Sequence, residues 1–570
     1  MKRFLSLAVA VVLLFSVFGS SVSAKTETGT KPVTSGDVVI DDDGSDGYSG
    51  DYVVIYNPST SGYGTASTGN MSGLIETEVG EDAVHPMPAE MADRPYRIDV
   101  DGAMAEQAAG LEKPVGGTSV RTSFNVGDTH TFSLNSSYCP LPSSSVQFKV
   151  LAKGEHCYIW TPTSTASNVY PLDQIDPTFG DICAAEFDSK FDLMQSSFGD
   201  HENGIGDGRL NILYYNIDDG WQLGQGYVGG YFSPFDFFTN QIPCLHVDTY
   251  PGVHYVNAEG VEINDISRTY NVMVHEYQHL INFSNTENME TWENECMSAA
   301  AEEICYPGSS VSRRIQSWTN YSFPNDDWHN PPEEFPYVSN YILHNGYTMY
   351  GWDNNMSTDN ILVLYAQVSL FAQYIFTQYG NTTFRQLLTQ DAQGRAFPQA
   401  FQNVTGQSAA EFVKNFRIAL TANTASDVLG GTYGFRMQEG FDPSGYHGVE
   451  NLYRWLGPVV FTGNQCSIQA GGAITVKPVG GVYNPPSGAG SGLVYIGVTR
   501  STEQQPNPYE KGDIDMNGSV QIADAVLALR SALGLTQLTP QQTQLGDMDD
   551  SGSINVADAV SVLRKSMGLQ

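Results

Sequence analysis

The chain has 570 residues, more than a single hydrophobic core organises, so about two to four domains are expected. Its 63 acidic residues against 27 basic ones give a net charge of −36. Such a surface repels phosphate backbones, which excludes nucleic acid as a partner class; it suits export and divalent cations.

Lys2 and Arg3 precede an apolar run from Phe4 to Phe18, followed by Val22-Ser23-Ala24. This order reads as a secretory signal peptide over 1–24, cut after Ala24. The run is short for a membrane-spanning helix, and no later segment is long and apolar enough to be one, so the expected location is extracellular. Seven cysteines, Cys139, Cys157, Cys183, Cys244, Cys296, Cys305 and Cys466, are too few for a disulfide framework, and their odd number leaves one unpaired. Cys296 and Cys305 pair only if the helix between them ends early.

Residues 25–115 are rich in Gly, Ser, Thr and Asp and contain one strand-like run, Tyr52–Tyr56. They read as a propeptide or flexible leader, with a disordered spacer as the alternative. Alternation and β-branched content predict strands at 146–151, 157–160 and 209–215. Helices are predicted over 182–197, 265–283, 291–304, 360–379 and 408–422; in the second, Ile266, Tyr270, Met273, Tyr277 and Leu280 form an apolar stripe. The expected catalytic domain over 116–425 is α+β. A β-rich segment over 426–498, a Gln/Pro linker over 499–510 and a module over 511–570 complete the chain.

The segment His275-Glu-Tyr-Gln-His279 lies on the striped helix. Residues four apart share a helix face, so both imidazoles can address one metal, while Glu276 reaches a water on that metal. A catalytic zinc takes three protein ligands and keeps one position open. Glu295, in Trp292-Glu-Asn-Glu-Cys-Met-Ser298 on the next helix, is the expected third ligand; Glu302 and Glu303 are the competitors. Glu293 is expected at the surface.

These residues resemble the gluzincin metallopeptidases, in which a His-Glu-x-x-His helix is followed by Asn-Glu-x-x-Ser/Ala. The run Val274–Asn282 is similar to bacterial peptidases related to hyicolysin and to the immune-inhibitor group. The resemblance implies a zincin-like fold, with a sheet, an active-site helix and a helical C-terminal subdomain. It also implies zinc bound by His275, His279 and Glu295, Glu276 as general base, and Tyr365 as an oxyanion donor, with His329 and His344 as further candidates. Family members often carry an acidic residue four positions after the glutamate ligand; here that position is Ala299. The metzincin pattern fails, because Asn282 and Asn285 stand where it needs Gly and His. Arg209–Tyr215 is a candidate edge strand for substrate, or else a buried central one. Asp200, Glu202, Asp207, Asp218 and Asp219 read as an acidic loop, with a structural calcium site as the alternative, and Cys139 is a candidate for capping the zinc, with an ordinary cysteine as the alternative.

The last sixty residues contain a repeat: Asp513–Val526 recurs as Asp547–Val560, each copy followed by an apolar helix. Asp513, Asp515, Asn517, Gln521 and Asp524 place oxygens at loop positions for calcium, with Gly518 at the turn. Asp547, Asp549, Ser551, Asn555 and Asp558 do the same around Gly552. Asp in place of Glu at the last position resembles a type I dockerin. The resemblance implies two calcium ions, a cohesin on a scaffold or cell surface as partner, and recognition through Ile522-Ala523 and Val556-Ala557. The sequence thus reads as a secreted zinc endopeptidase tethered through a dockerin, as in a cellulosome. Alternatives are an inactive peptidase-like adhesin or structural subunit and a dockerin-borne polysaccharide hydrolase.

Overall fold

The computed structural model describes residues 33–35, 38–60, 64–77, 96–98, 122–134, 145–163, 174–306, 346–352, 358–422, 428–435, 460–500 and 510–569, with short breaks at 218, 224–225, 258–259, 287–288 and within 516–568. The signal segment, Cys139, Asp218, His329, His344, Asn517, Gly518, Asp549, Ser551 and Gly552 lie outside the described residues.

In chain order the principal strands are β1 (Val33–Ser35), β2 (Val38–Asp41), β3 (Tyr52–Tyr56), β4 (Tyr96–Ile98), β5 (Thr129–Ser133), β6 (Ser145–Lys153), β7 (Cys157–Pro162), β8 (Leu210–Tyr215), β9 (Gly226–Val228), β10 (Gly230–Phe232), β11 (Cys244–Asp248), β12 (Ala473–Val476) and β13 (Val494–Arg500). The principal helices are α1 (Pro177–Phe198), α2 (Tyr270–Asn285), α3 (Thr291–Cys305), α4 (Thr358–Tyr379), α5 (Thr383–Asp391), α6 (Phe397–Thr405), α7 (Ala409–Ala422), α8 (Ile522–Ala532) and α9 (Val556–Ser566).

A six-stranded sheet in the order β10-β11-β8-β7-β6-β5 carries the helices. Strands β7, β8 and β11 run parallel, whereas β10 joins β11 antiparallel. Every residue of β8 is buried, as expected of a strand covered on both faces. On β6 the burial alternates, so Val146, Phe148 and Val150 face one core while Gln147 and Lys149 face water. Strand β8 is therefore central, as the buried reading of Arg209–Tyr215 has it, and β10 stands at one edge of the sheet.

Helix α1 crosses the sheet. It begins where Asp176 accepts the Thr178 N–H at 2.8 Å, with Pro177 in the first turn, and it ends at Gly199. Helices α2 and α3 pack on each other, and α2 also packs on β10 and β11; their Val272, Met273, Leu280, Ile281, Met297 and Ala300 join one core with α1 and α4 to α7. Burying each such large apolar side chain contributes about 1.5–3 kcal/mol. Because α3 runs unbroken to Cys305, Cys296 and Cys305 remain separate buried thiols. The other described cysteines are free as well.

A second sheet has the order β1-β2-β13-β3-β12. Here β3, at 52–56, is hydrogen-bonded between β12 and β13, more than four hundred residues later. Its Val53, Val54, Ile55 and Tyr56 are fully buried. The part of the leader around β3 and the β-rich segment near 473–500 are consequently one folded body rather than two independent pieces. Tyr56 donates its hydroxyl to the Ala410 carbonyl at 3.0 Å, which fastens this sheet to α7.

The C-terminal module has its own small core of Ile514, Ala525, Ala528, Ala559 and Val562, formed where α8 and α9 pack together.

Candidate metal centre

Helix α2 places His275 and His279 one turn apart, and α3 brings Glu295 opposite them. Oε2 of Glu295 lies 3.6 Å from Nε2 of His275 and 3.8 Å from Nε2 of His279. One ligand atom from each of the three falls within 4.8 Å of the other two. All three side chains are buried, and both Glu295 oxygens are buried without a hydrogen-bond donor. An ionised carboxylate in that position needs compensation, which a cation supplies. Two imidazole nitrogens and one carboxylate oxygen are the donor set of a catalytic zinc, so the residues fit this metal.

The outer nitrogens of the two rings are held by α3. Nδ1 of His275 lies 2.7 Å from Oε1 of Glu302. Nδ1 of His279 lies 3.1 Å from both Oδ1 of Asn294 and Oγ of Ser298. With the ring proton on Nδ1, each Nε2 presents its lone pair toward Glu295. Ser298 also donates to Gln278 at 2.6 Å, and Asn282 donates to Asn294, so the support of His279 is itself tied to α2. The acid that Ala299 does not provide is thus supplied one turn further on: Glu302, seven residues past Glu295, shares its helix face. The sequence offers Glu302 as a rival ligand; its Oε1 stands instead at the outer nitrogen of His275. Asn294 and Ser298 were visible only as members of the Asn-Glu-x-x-Ser pattern.

Glu276 is completely buried beside the ligands. Edge strand β10 passes close over it. A Cβ on Gly230 would stand 2.4 Å from Cγ1 of Val272, 2.6 Å from the His246 carbonyl oxygen and 3.4 Å from Cγ of Glu276. Only glycine lets strand and helix approach this closely.

Glu293 departs from expectation. It is buried, not at the surface, because α3 is enclosed on nearly every side. Burial pushes its carboxyl well above the usual range, and the charges of Asp391 and Glu290 push the same way. Glu303 is likewise buried. Tyr365 is buried on α4, with its ring edge-on to Trp352 at 4.9 Å between centroids. In the acidic loop, Asp207 is occupied by the Tyr158 hydroxyl and the Arg209 guanidinium at 2.7 and 2.9 Å. Asp219 accepts the N–H groups of Trp221 and Val228. Among the described residues this loop forms no metal-holding cluster.

Asp513, Asp515 and Asp524 form the other group able to hold an ion among the described residues. Asp524 accepts the N–H groups of Ile514, Asp515 and Gln521 at 2.7–2.9 Å, which ties the loop to the start of α8. Asp558 repeats the arrangement, accepting from Met548 and Asn555, each at 2.9 Å.

No family model matches the chain. It is similar to the neutral metalloprotease ShpI of Staphylococcus hyicus, with 26% identity over 332 residues, covering 54% of this chain and 66% of that protein. The chain thus spans just under two thirds of that relative's length. Among the described residues no helix is long and apolar enough to cross a membrane. The similarity is to a metalloprotease, and it supports the metallopeptidase class for a chain whose buried His275, His279 and Glu295 converge on one point.

Proposed function

We propose that the chain is a secreted zinc-dependent endopeptidase of gluzincin type, with His275, His279 and Glu295 as zinc ligands. The observation that carries this reading is the convergence of two Nε2 atoms on a buried carboxylate that has no hydrogen-bond donor. Zinc, when bound, acidifies a water and polarises the scissile carbonyl. Glu276 takes the proton from the attacking water and passes it to the leaving amine, so one carboxylate acts as base and then as acid. Glu302, Asn294 and Ser298 keep the ring protons on Nδ1. Edge strand β10 pairs with the substrate backbone, holding an extended peptide beside Glu276. Tyr365 is the proposed oxyanion donor. The buried helix pair, with its proton-holding partners intact, favours this reading over an inactive adhesin.

The tail is proposed to be a dockerin with two calcium ions and a cohesin as partner. Exposed Ile522 and Val556, 62% and 51% accessible, stand at the start of α8 and α9 and offer an apolar contact at equivalent places in the two copies. Attachment to a scaffold would hold the exported enzyme outside the cell.

The decisive experiment compares casein hydrolysis and zinc content in wild type and Glu276→Gln. The variant retains stoichiometric zinc and loses hydrolysis; equal activity in the two proteins refutes the role of Glu276.

A further inference from the structure

Strand β10 is held from both faces of the sheet. Gly230 and Phe232 turn toward α2, where Phe232 joins the core of Val272 and Met273. Tyr231 turns the other way, into a separate core with Phe132, Trp160 and Tyr215. There its ring stacks on His246, its partner in the pairing of β10 with β11, with centroids 4.1 Å apart and planes 3° off parallel. The Tyr231 hydroxyl lies 2.7 Å from the Tyr215 hydroxyl, which in turn lies 3.0 Å from Nδ1 of His246. Nε2 of His246 lies 2.8 Å from Oδ2 of Asp236. The other Asp236 oxygen accepts the Asn240 amide at 2.6 Å. Tyr215, Tyr231, Asp236 and His246 are all buried.

These hydrogen bonds run in one direction. A carboxylate only accepts, so Nε2 of His246 carries a proton, and in the neutral ring Nδ1 accepts from the Tyr215 hydroxyl. The Tyr215 oxygen then accepts from Tyr231. Cutting any member leaves a buried polar group without its partner, so the four side chains act as a unit. The strand they hold carries Gly230 over Glu276, where a Cβ on Gly230 would stand 3.4 Å from Cγ of Glu276 and 2.6 Å from the His246 carbonyl oxygen. His246 thus meets β10 twice, with its ring at Tyr231 and its backbone at Gly230. We propose that His246 and Asp236 are positioning residues for the general base: through Tyr231 they fix β10 over Glu276. This inference rests on the peptidase reading for its effect on turnover, but the anchoring of the strand is separately measurable.

The test compares the full chain with Asp236→Asn, Tyr231→Phe and their double variant, and takes Tyr158→Phe as the control for simple loss of stability. Tyr158 lies in the same core, but its hydroxyl serves Asp207 and the Phe124 N–H. Hydrogen exchange over 230–232, zinc content, Tm, and kcat and KM on a peptide substrate are measured for each. Asp236→Asn and Tyr231→Phe exchange faster over 230–232, keep their zinc, and lose about tenfold or more in kcat with KM within about twofold of wild type. The double variant loses no more than the worse single one, because both cut the same chain of hydrogen bonds. Tyr158→Phe lowers Tm and changes neither exchange over 230–232 nor kcat. Unchanged exchange over 230–232, a rise in KM at constant kcat, additive losses, or an equal loss of kcat in Tyr158→Phe overturns the proposal. Zinc loss that matches the fall in rate overturns it too, since the chain would then support the ligands rather than the base. If Asp236→Asn does not fold, Tyr231→Phe, which lacks a single hydroxyl, decides alone. If wild type cleaves no peptide, the peptidase reading has failed, and exchange alone decides the anchoring: faster exchange over 230–232 in Tyr231→Phe but not in Tyr158→Phe supports it, and equal exchange overturns it.

Discussion

Oε1 of Glu302 lies 2.7 Å from Nδ1 of His275, with both side chains completely buried. With the ring proton on Nδ1, this contact orients the ring so that Nε2 faces Glu295. Replacing Glu302 with Gln keeps the size but removes the anionic acceptor. The expected result is a zinc affinity about 10–100-fold weaker, with Glu276 chemistry otherwise intact at saturating zinc. Competitive chelator titration measures it. An unchanged affinity would show that Glu302 does not orient the ring.

Gly230 is the contact point of edge strand and helix. Gly230→Ala forces a Cβ against Val272, the His246 carbonyl and Glu276. Strand β10 must shift outward from the helix, so hydrolysis falls steeply and Tm drops, with an overpacking cost of about 1–3 kcal/mol. Gly490 offers a control, because it lies in the loop before β13 and its nearest neighbour to a new Cβ is the Ala66 side chain at 3.2 Å. Gly490→Ala should leave hydrolysis intact.

His201, half-buried against α2 with Nδ1 3.0 Å from the Tyr277 hydroxyl, has its pKa pushed down to about 4 by desolvation of the ring. The unfolded chain protonates it near pH ~6.5, so between these values the unfolded state binds more protons. The neutral ring's contribution to stability is complete above the higher value and is lost as pH falls toward the lower one. Tm measured from pH 7 to pH 4 should fall less in His201→Asn than in wild type. Parallel curves would contradict the assignment.

Asp524 and Asp558 each close a loop onto a helix start by accepting backbone N–H groups. In the proposed calcium module, Asp524→Ala removes an ion ligand and those acceptors together. Calcium titration of the full chain, followed by hydrogen exchange over 510–567, should show protection that depends on calcium in wild type and is lost around α8 in the variant. Equal protection with and without calcium would contradict calcium-dependent folding.

Much of the metal centre was legible in the sequence because its signals are local. The stripe through Tyr270, Met273, Tyr277 and Leu280 locates α2, and the four-residue spacing of His275 and His279 sets their common face. Glu295 follows on the adjacent helix. The role of Glu302 was harder to see, since a carboxylate seven residues past a ligand has the same spacing whether it binds metal or a ring nitrogen. Burial of Glu293 leaves no mark in the sequence, because a charged residue on a helix ordinarily faces water, and only the packing of α3 on α1, α2 and α4 encloses it. The union of 52–56 with 473–500 left no local trace, because strand pairing at that separation depends on tertiary contacts. Edge strand β10 has three residues and two glycines at its approach, too short for an alternation pattern.

The central claim is that two imidazoles and one carboxylate share a single zinc. X-ray absorption at the zinc edge of the purified full chain tests this directly. The expected spectrum shows two histidine rings and oxygen ligands at about 2.0–2.2 Å, with Glu295→Ala losing most of its zinc. Sulfur scattering near ~2.3 Å, or full zinc retention by Glu295→Ala with an unaltered spectrum, would contradict it.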